Sequence, residues 1–339
     1  MKIAVDAMGG DYAPGAMVAG AVAAARAGLA EIILVGDAVR IEQELCRHTP
    51  LGGLEVVHTD QFIEMHEQPA LALRKKRDAS IAVATRLVKE GRAAAVVSAG
   101  STGAQMVAAL LILGRSGNIQ RPAIATVMPT LAGPKLLLDA GANVDCRPEH
   151  LLEFALMGSL YAERVMGINN PRVGLLNVGA EESKGNELTL NAYQLLRSTS
   201  LNFIGNVEGR DIAKGEADVF VCDGFVGNLL LKFGEGLGQA IFTWIQGKIG
   251  NSWRAKLGAA LLLPALRQLK KEVDYAEYGG APLLGVQGIS IICHGSSDAR
   301  AIKNAIALAV KCAEGKLVER LGYLNTDFIY NECRERGYS

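Results

Sequence analysis

Aromatic side chains are scarce in this sequence: two Trp, eight Tyr and eight Phe among 339 residues. With 39 glycines and half the chain hydrophobic, that composition disfavours an all-β fold and suits helices packed closely on a sheet. Neither sign of charge is in excess, 35 Lys+Arg standing against 35 Asp+Glu, so nothing global recommends nucleic acid as a partner. Long apolar runs are missing. Val107–Leu113 and Ala259–Leu266 fall well short of the roughly 20 residues that span a bilayer. The six cysteines are scattered without a CxxC pair, the usage of a reduced, cytosolic protein. MKIAVDAMGGD carries an acid at Asp6 and no long apolar stretch, so it does not read as a signal peptide. GxGxxG spacing and a P-loop lysine are absent, and NAD is rejected despite Gly9-Gly10 and the well-spaced Asp37. The five histidines are dispersed, with no HExxH and no cation-loop carboxylates, so no metal or cofactor is expected.

What is present centres on Ala93 to Gly114, AAAVVSAGSTGAQMVAALLILG. Ala94–Val97 reads as a buried parallel strand that breaks into Ser98-Ala99-Gly100-Ser101-Thr102-Gly103, with an apolar helix from about Ala104. Glycines admit close backbone approach, and a helix start offers unpaired N–H donors and a positive dipole end. Such a turn can seat phosphate, or it can simply cap its helix with Ser or Thr.

The same rhythm recurs. Strands are expected at Lys2–Val5, Glu31–Val35, Leu54–His58, Ala123–Met128, Lys135–Leu138, Val173–Leu176, Phe203–Asn206, Val219–Cys222 and Ile289–Cys293. At least six run into Gly/Asp/Asn/Ser turns, among them Asp6–Asp11, Asp139–Asn143, Asn177–Gly185, Asp223–Asn228 and His294–Asp298. In a parallel sheet those turns line one edge, where open α/β sheets bind ligands. Between them, Ala70–Gly91 reads as helical and carries Arg74-Lys75-Lys76-Arg77, either a solvated helix face or a dock for an acidic partner.

Leu237–Val273 departs from the pattern. Trp244, Trp253, Leu257 and Leu261–Leu263 sit among Lys248, Arg254, Lys256, Arg267, Lys270 and Lys271, and Pro264 should break the helix into two arms. Such an amphipathic helical insertion, residues 237–273 of a single 1–339 domain, suits an anionic membrane surface, a dimer interface, or both.

The motifs together resemble one family, the bacterial acyl-[acyl carrier protein]:phosphate acyltransferases of glycerolipid synthesis. The matching strings are VDAMGGDYAPG (5–15), SAGSTGA (98–104), LLDAGAN (137–143), LLNVGAEESKGN (175–186), NVEGRDI (206–212), CDGFVGNLLLK (222–232) and EYGGAPLLGVQGISIICHGSS (277–297), essentially end to end. The resemblance implies a Rossmann-like α/β/α sandwich with a mostly parallel sheet, as in phosphotransacetylases and isopropylmalate dehydrogenases, plus a protruding amphipathic segment. It implies reversible conversion of acyl-[acyl carrier protein] and inorganic phosphate into acyl phosphate and free carrier. It also implies no cofactor, a homodimer, and a cytoplasmic protein held peripherally at the inner face of the membrane. There a membrane glycerol-3-phosphate acyltransferase would consume the product for phospholipid synthesis.

That reaction needs no protein nucleophile, because phosphate is one and a thiol leaves readily. Positioning and charge stabilisation then carry catalysis. Ser101, Thr102 and Gly103 are expected to hold phosphate and Lys184, from a neighbouring loop, to neutralise it. Asn143, Asn177 and Asn228 are candidates to orient phosphate or polarise the carbonyl as neutral donors. Asp223, with Gly224, either positions Lys184 or forms a turn, and His294 either assists thiolate departure or is structural. Asp6, Gly9, Gly10 and Asp11 are read as shaping the cleft. Two alternatives stand beside this reading: a phosphotransacetylase using acyl-CoA, and a non-catalytic lipid-surface adaptor for acyl carrier protein.

Overall fold

The computed structural model describes residues 1–250, 258, 259, 261, 262, 264, 265, 268 and 277–324. Its strands are β1 (Lys2–Asp6), β2 (Glu31–Gly36), β3 (Leu54–His58), β4 (Ala95–Ser98), β5 (Ala123–Met128), β6 (Lys135–Leu138), β7 (Val173–Leu176), β8 (Phe203–Val207), β9 (Val219–Val221), β10 (Ala281–Leu284) and β11 (Ile289–Ile292). The helices are α1 (Gly15–Arg26), α2 (Ala38–Leu45), α3 (Pro69–Lys75), α4 (Ser80–Lys89), α5 (Thr102–Ala108), α6 (Pro148–Arg164), α7 (Glu187–Arg197), α8 (Gly209–Lys214), α9 (Gly224–Gly250), α10 (Ala299–Glu314) and α11 (Leu317–Gly322). A π-helical turn, Ala109–Leu113, prolongs α5.

Period-2 alternation decides which side chains face which layer. In β1, Ile3 and Val5 point into a core shared with α1, α6, α7 and α10, while Ala4 points to the α3–α5 layer. In β6 and β9, Leu136, Leu138, Val219 and Val221 join the first core, and Leu137 and Phe220 face α8 and the start of α9. The result is an α/β/α sandwich whose inner strands are buried on both faces, which is why they read as unbroken apolar runs.

The eleven strands lie in the order β3-β2-β1-β4-β11-β10-β5-β6-β9-β7-β8. Most pairings are parallel, but β10 is antiparallel to β11 and β5, and β5 is antiparallel to β6. Following those reversals across the sheet, β1–β4 and β11 run one way and β6–β9 the other. The sheet is two parallel halves pointing in opposite directions, joined by the seam β10-β5. The expectation of a single edge carrying every turn is therefore corrected: turns after β1, β4 and β11 lie at one end, and those after β6, β7 and β9 at the other.

The stretch expected as one helix over Ala70–Gly91 is two, α3 and α4, parted at Lys76–Ala79. Long-range ties hold the break: Lys76 Nζ donates to the Phe62 carbonyl at 2.9 Å, and Thr59 Oγ1 donates to the Asp78 carbonyl. Leu237 falls in mid-helix, within α9. The expectations for Trp253, Arg254, Lys256, Leu257, Leu263, Arg267, Lys270 and Lys271 fall outside the described residues, while Trp244, Leu261 and Leu262 are exposed. Among the described residues no helix is long and apolar enough to cross a membrane.

Candidate active site

At the first end of the sheet, three loops knit together. Asp6, buried at the end of β1, accepts from Ser98 Oγ at the end of β4 at 2.7 Å and from the Met8 N–H at 3.2 Å. Ser98 Oγ in turn accepts from the Gly100 N–H at 3.0 Å. Burial pushes the Asp6 carboxyl up, opposed by hydrogen bonds from Ser80, Ser98 and the Met8 and Gly9 amides. A Cβ on Gly9 would lie 2.6 Å from Asp6 Oδ2 and 2.7 Å from the Gly100 nitrogen, so only glycine fits there. Asp11 donates its N–H to the Gly295 carbonyl at 2.8 Å, which binds the β11–α10 turn to the β1–α1 turn, and Gly10 sits at φ +108°. A small recess opens among Asp6, Gly9, Ile63, Ser80, Ser98 and Ser101.

Above that floor stands the start of α5. Ser101 caps it, its Oγ accepting from the Ala104 N–H at 3.4 Å, so the capping role is realised. Thr102 is exposed, and Gly103 presses on Pro69 of α3, 2.7 Å separating a Cβ there from Pro69 Cγ. His294 is exposed beside these loops, its Nδ1 2.7 Å from Ser296 Oγ. Those contacts with Ser296 suit a structural role as well as assistance to a departing thiolate.

At the opposite end, Asp139 organises the turn after β6. Its Oδ1 accepts from the N–H groups of Ile124, Gly141 and Ala142, and its Oδ2 from the Asn143 N–H at 2.7 Å. Asn143 spends both hydrogens of its amide nitrogen, on Asp139 Oδ2 and the Pro122 carbonyl. It shapes the loop and has no donor left for phosphate. Gly224 donates to the Asn143 carbonyl at 2.7 Å, and Gly227 lies hard against the Asp139 carbonyl. Asp223 accepts from the Val226 N–H at 2.9 Å, the turn-forming alternative. Asn228 is exposed and lies against Gly141, a Cβ on which would sit 3.5 Å from its Oδ1. Asp139 and Gly227 were not singled out in the sequence; the sharing of one turn by both was invisible there.

Beyond β9, Asn177 is likewise committed to its own loop, donating to the Lys184 carbonyl and accepting from the Val178 N–H, each at 2.9 Å. Lys184 is exposed and has no carboxylate partner among the described residues. Asn206, at the end of β8, donates to the Glu181 carbonyl at 2.9 Å and keeps a buried, unpartnered Oδ1, a feature the sequence reading missed.

The structure thus gathers Asp6, Gly9, Gly10, Asp11, Ser101 and His294 at one end, and Asn143, Asp223, Gly224 and Asn228 at the other. It does not bring Lys184 to Ser101. Their strands β4 and β7 are six places apart in the sheet, roughly 29 Å at about 4.8 Å per strand, and point in opposite directions. The neighbouring-loop expectation for Lys184 is corrected accordingly. What joins the first two clusters is apolar: Met106 on α5 and Ala142 after β6 flank one hydrophobic cluster with Ala140 and Ile292.

The polypeptide offers no activated thiol here. Burial pushes Cys146 and Cys293 up to about 12 and Cys222 well above its ordinary value. Ser98 is buried beneath the recess, and its hydroxyl is already given to Asp6.

An α/β/α sandwich with a seamed sheet and polar strand ends hosts many unrelated chemistries, so the fold alone does not decide the activity. The phosphotransacetylase from Streptococcus pyogenes superposes with a TM-score of 0.64 over 93% of this chain and 94% of that one, at 18% identity. A family model described as Fatty acid synthesis protein matches residues 1–320. The phosphate acyltransferase of Moorella thermoacetica is 74% identical over 324 residues, 96% of each chain. That of Heliobacterium modesticaldum is 63% identical over 312 residues, 91% of this chain and 93% of the other. The chain belongs to the phosphate acyltransferase family.

Proposed function

We propose that this protein transfers an acyl group from the thioester of an acyl carrier protein to inorganic phosphate. A phosphate oxygen attacks the thioester carbon, the C–S bond breaks, and acyl phosphate and free carrier thiol result. The observation that carries this reading is the loop cluster over Asp6 and Ser98 in a chain of this family. Backbone donors at Thr102 and Gly103, with the Thr102 hydroxyl, face solvent above a floor held rigid by buried hydrogen bonds. The protonated, buried thiols support direct attack by phosphate over a covalent acyl-enzyme. Met106 and Ala142, half-buried at the edge of the apolar cluster around Ala140, suit contact with an acyl chain leading away from the phosphate.

Lys184 and Ser101 can serve one phosphate only between two copies, the Lys184 end of one sheet facing the Ser101 end of another. A homodimer is therefore part of the proposal, and the exposed Phe225, Leu229 and Phe233 at four-residue spacing on α9 favour a covered face. A peripheral place at the inner face of the cytoplasmic membrane, where a membrane acyltransferase takes the acyl phosphate, follows from the same reading. Leu261 and Leu262, 80% and 60% exposed, support it.

The test is thiol release from acyl carrier protein with and without phosphate. Release that requires phosphate and yields one acyl phosphate per thiol is expected. Release without phosphate, or a stably acylated polypeptide, overturns the proposal; preference for acyl-CoA would instead mark a phosphotransacetylase.

A further inference from the structure

We infer that the end of α3 and the break after it form the docking surface for the acidic acyl carrier, an inference that rests on the function proposed above. The segment carrying Arg74, Lys75 and Arg77 begins and ends on the recess: Ile63 before it and Ser80 after it both line that recess. Pro69, the first residue of α3, packs on Gly103 in the first turn of α5. At 1.5 Å per helical residue, Lys75 lies only about 9 Å along the axis from that contact. The cations therefore stand at the rim of the candidate phosphate seat.

The acids flanking them in sequence are already committed to other cations. Lys76 pairs with Glu67 at 2.6 Å and Arg86 with Asp78 at 2.6 Å, using up the nearest acids. Arg74, Lys75 and Arg77 are exposed and have no carboxylate partner among the described residues. Arg74 and Lys75 complement the carboxyl end of α3, but Arg77 lies beyond it, in the break, where the helix dipole gives it no role. The break ends α3 at Lys75, so Arg74 and Lys75 lie on a solvated helix face and Arg77 lies off it. Beside the cations, Met65 and Leu71 are 53% and 50% exposed. An apolar centre with a cationic rim complements an acidic protein surface that also presents apolar side chains. A carrier bound there would deliver a thioester arm over α3 to the start of α5.

The experiment measures carrier binding directly, by surface plasmon resonance with immobilised acyl carrier protein, alongside KM and kcat for acyl carrier and for acyl-CoA. The variants are R74E/K75E/R77E and, separately, M65S/L71S. The charge-reversed variant is expected to bind the carrier at least about tenfold more weakly, with lost salt dependence. KM for acyl carrier should rise while kcat with acyl-CoA and thermal stability stay at wild-type levels. Wild-type affinity for the carrier in both variants overturns the inference. So does retained carrier binding with lost binding to anionic vesicles, which would make the patch a lipid contact. Carrier binding by wild type without phosphate-dependent turnover would sink the proposed function and leave the docking surface standing.

Discussion

Ser98 gives its hydroxyl hydrogen to a carboxylate oxygen of Asp6 across 2.7 Å of buried space, and the same oxygen of Ser98 receives the Gly100 amide. One relay thus ties the ends of β1 and β4 together and aims the loop that leads to Ser101. Gly9→Ala tests it, since the added methyl would meet Asp6 Oδ2 and the Gly100 backbone at under 3 Å. A loss of stability of about 1–3 kcal/mol is expected, with activity falling much further than stability explains. Thermal melting and steady-state kinetics read the two quantities separately.

Lys184 and Thr102 should both matter for phosphate while lying at opposite ends of one chain's sheet. Lys184→Ala and Thr102→Ala are each expected to raise the phosphate KM about tenfold or more, with the Tm unmoved because both side chains are exposed. At phosphate concentrations far below the raised KM values, where each variant alone is nearly silent, mixing the two with subunit exchange should restore about a quarter of wild-type activity, since half the dimers would be mixed and each of those would hold one intact site. Absence of any restoration would mean that the two residues serve different steps.

His294 is exposed and hydrogen-bonded to Ser296, so its removal perturbs no core. His294→Asn is expected to lower kcat by about a hundredfold at unchanged Tm if it assists the departing thiolate. A thioester of a more acidic thiol should recover most of that loss. Wild-type kcat in the variant removes His294 from the chemistry.

Asp218 binds Lys135 at 2.7 Å and Arg172 at 3.1 Å, joining the starts of β6, β7 and β9. Burial alone would push its carboxyl up, but the hydrogen bonds from Arg172 and Lys135 prevail and hold it at about 2, against an ordinary 3.8. A carboxyl held down in the folded state stabilises the fold above its unfolded value and stops doing so as pH falls through its folded value. The window is therefore pH 4 to 2, and the contribution lost across it is about 2 kcal/mol. Asp218→Asn, leaving Lys135 buried and unpaired, should cost about 3 kcal/mol at pH 7 in denaturant melts. The gap to wild type should narrow below pH 4.

Runs such as Ile32–Val35 and Leu136–Leu138 announce themselves as buried strands because both faces of each strand are covered by helices. Ten strands and the Gly/Ser/Asp turns after them were legible for that reason. β10 was not: Ala281–Leu284 is four residues long and contains Pro282, which argues against a strand when read locally. It is held by antiparallel pairing to β11 on one side and β5 on the other. The break between α3 and α4 escaped notice similarly, since Lys76 and Thr59 impose it from a distance.

The amino-acid order alone settled the layer architecture and the family, because periodicity and motif strings are local properties of the chain. Strand direction is not local. Whether a turn lies at one end of the sheet or the other depends on how many antiparallel partners intervene, and here β10 and β5 reverse the second half. Only the folded sheet could separate Lys184 from Ser101, commit Asn143 and Asn177 to their own loops, and leave Arg74, Lys75 and Arg77 unpaired at the rim of the recess.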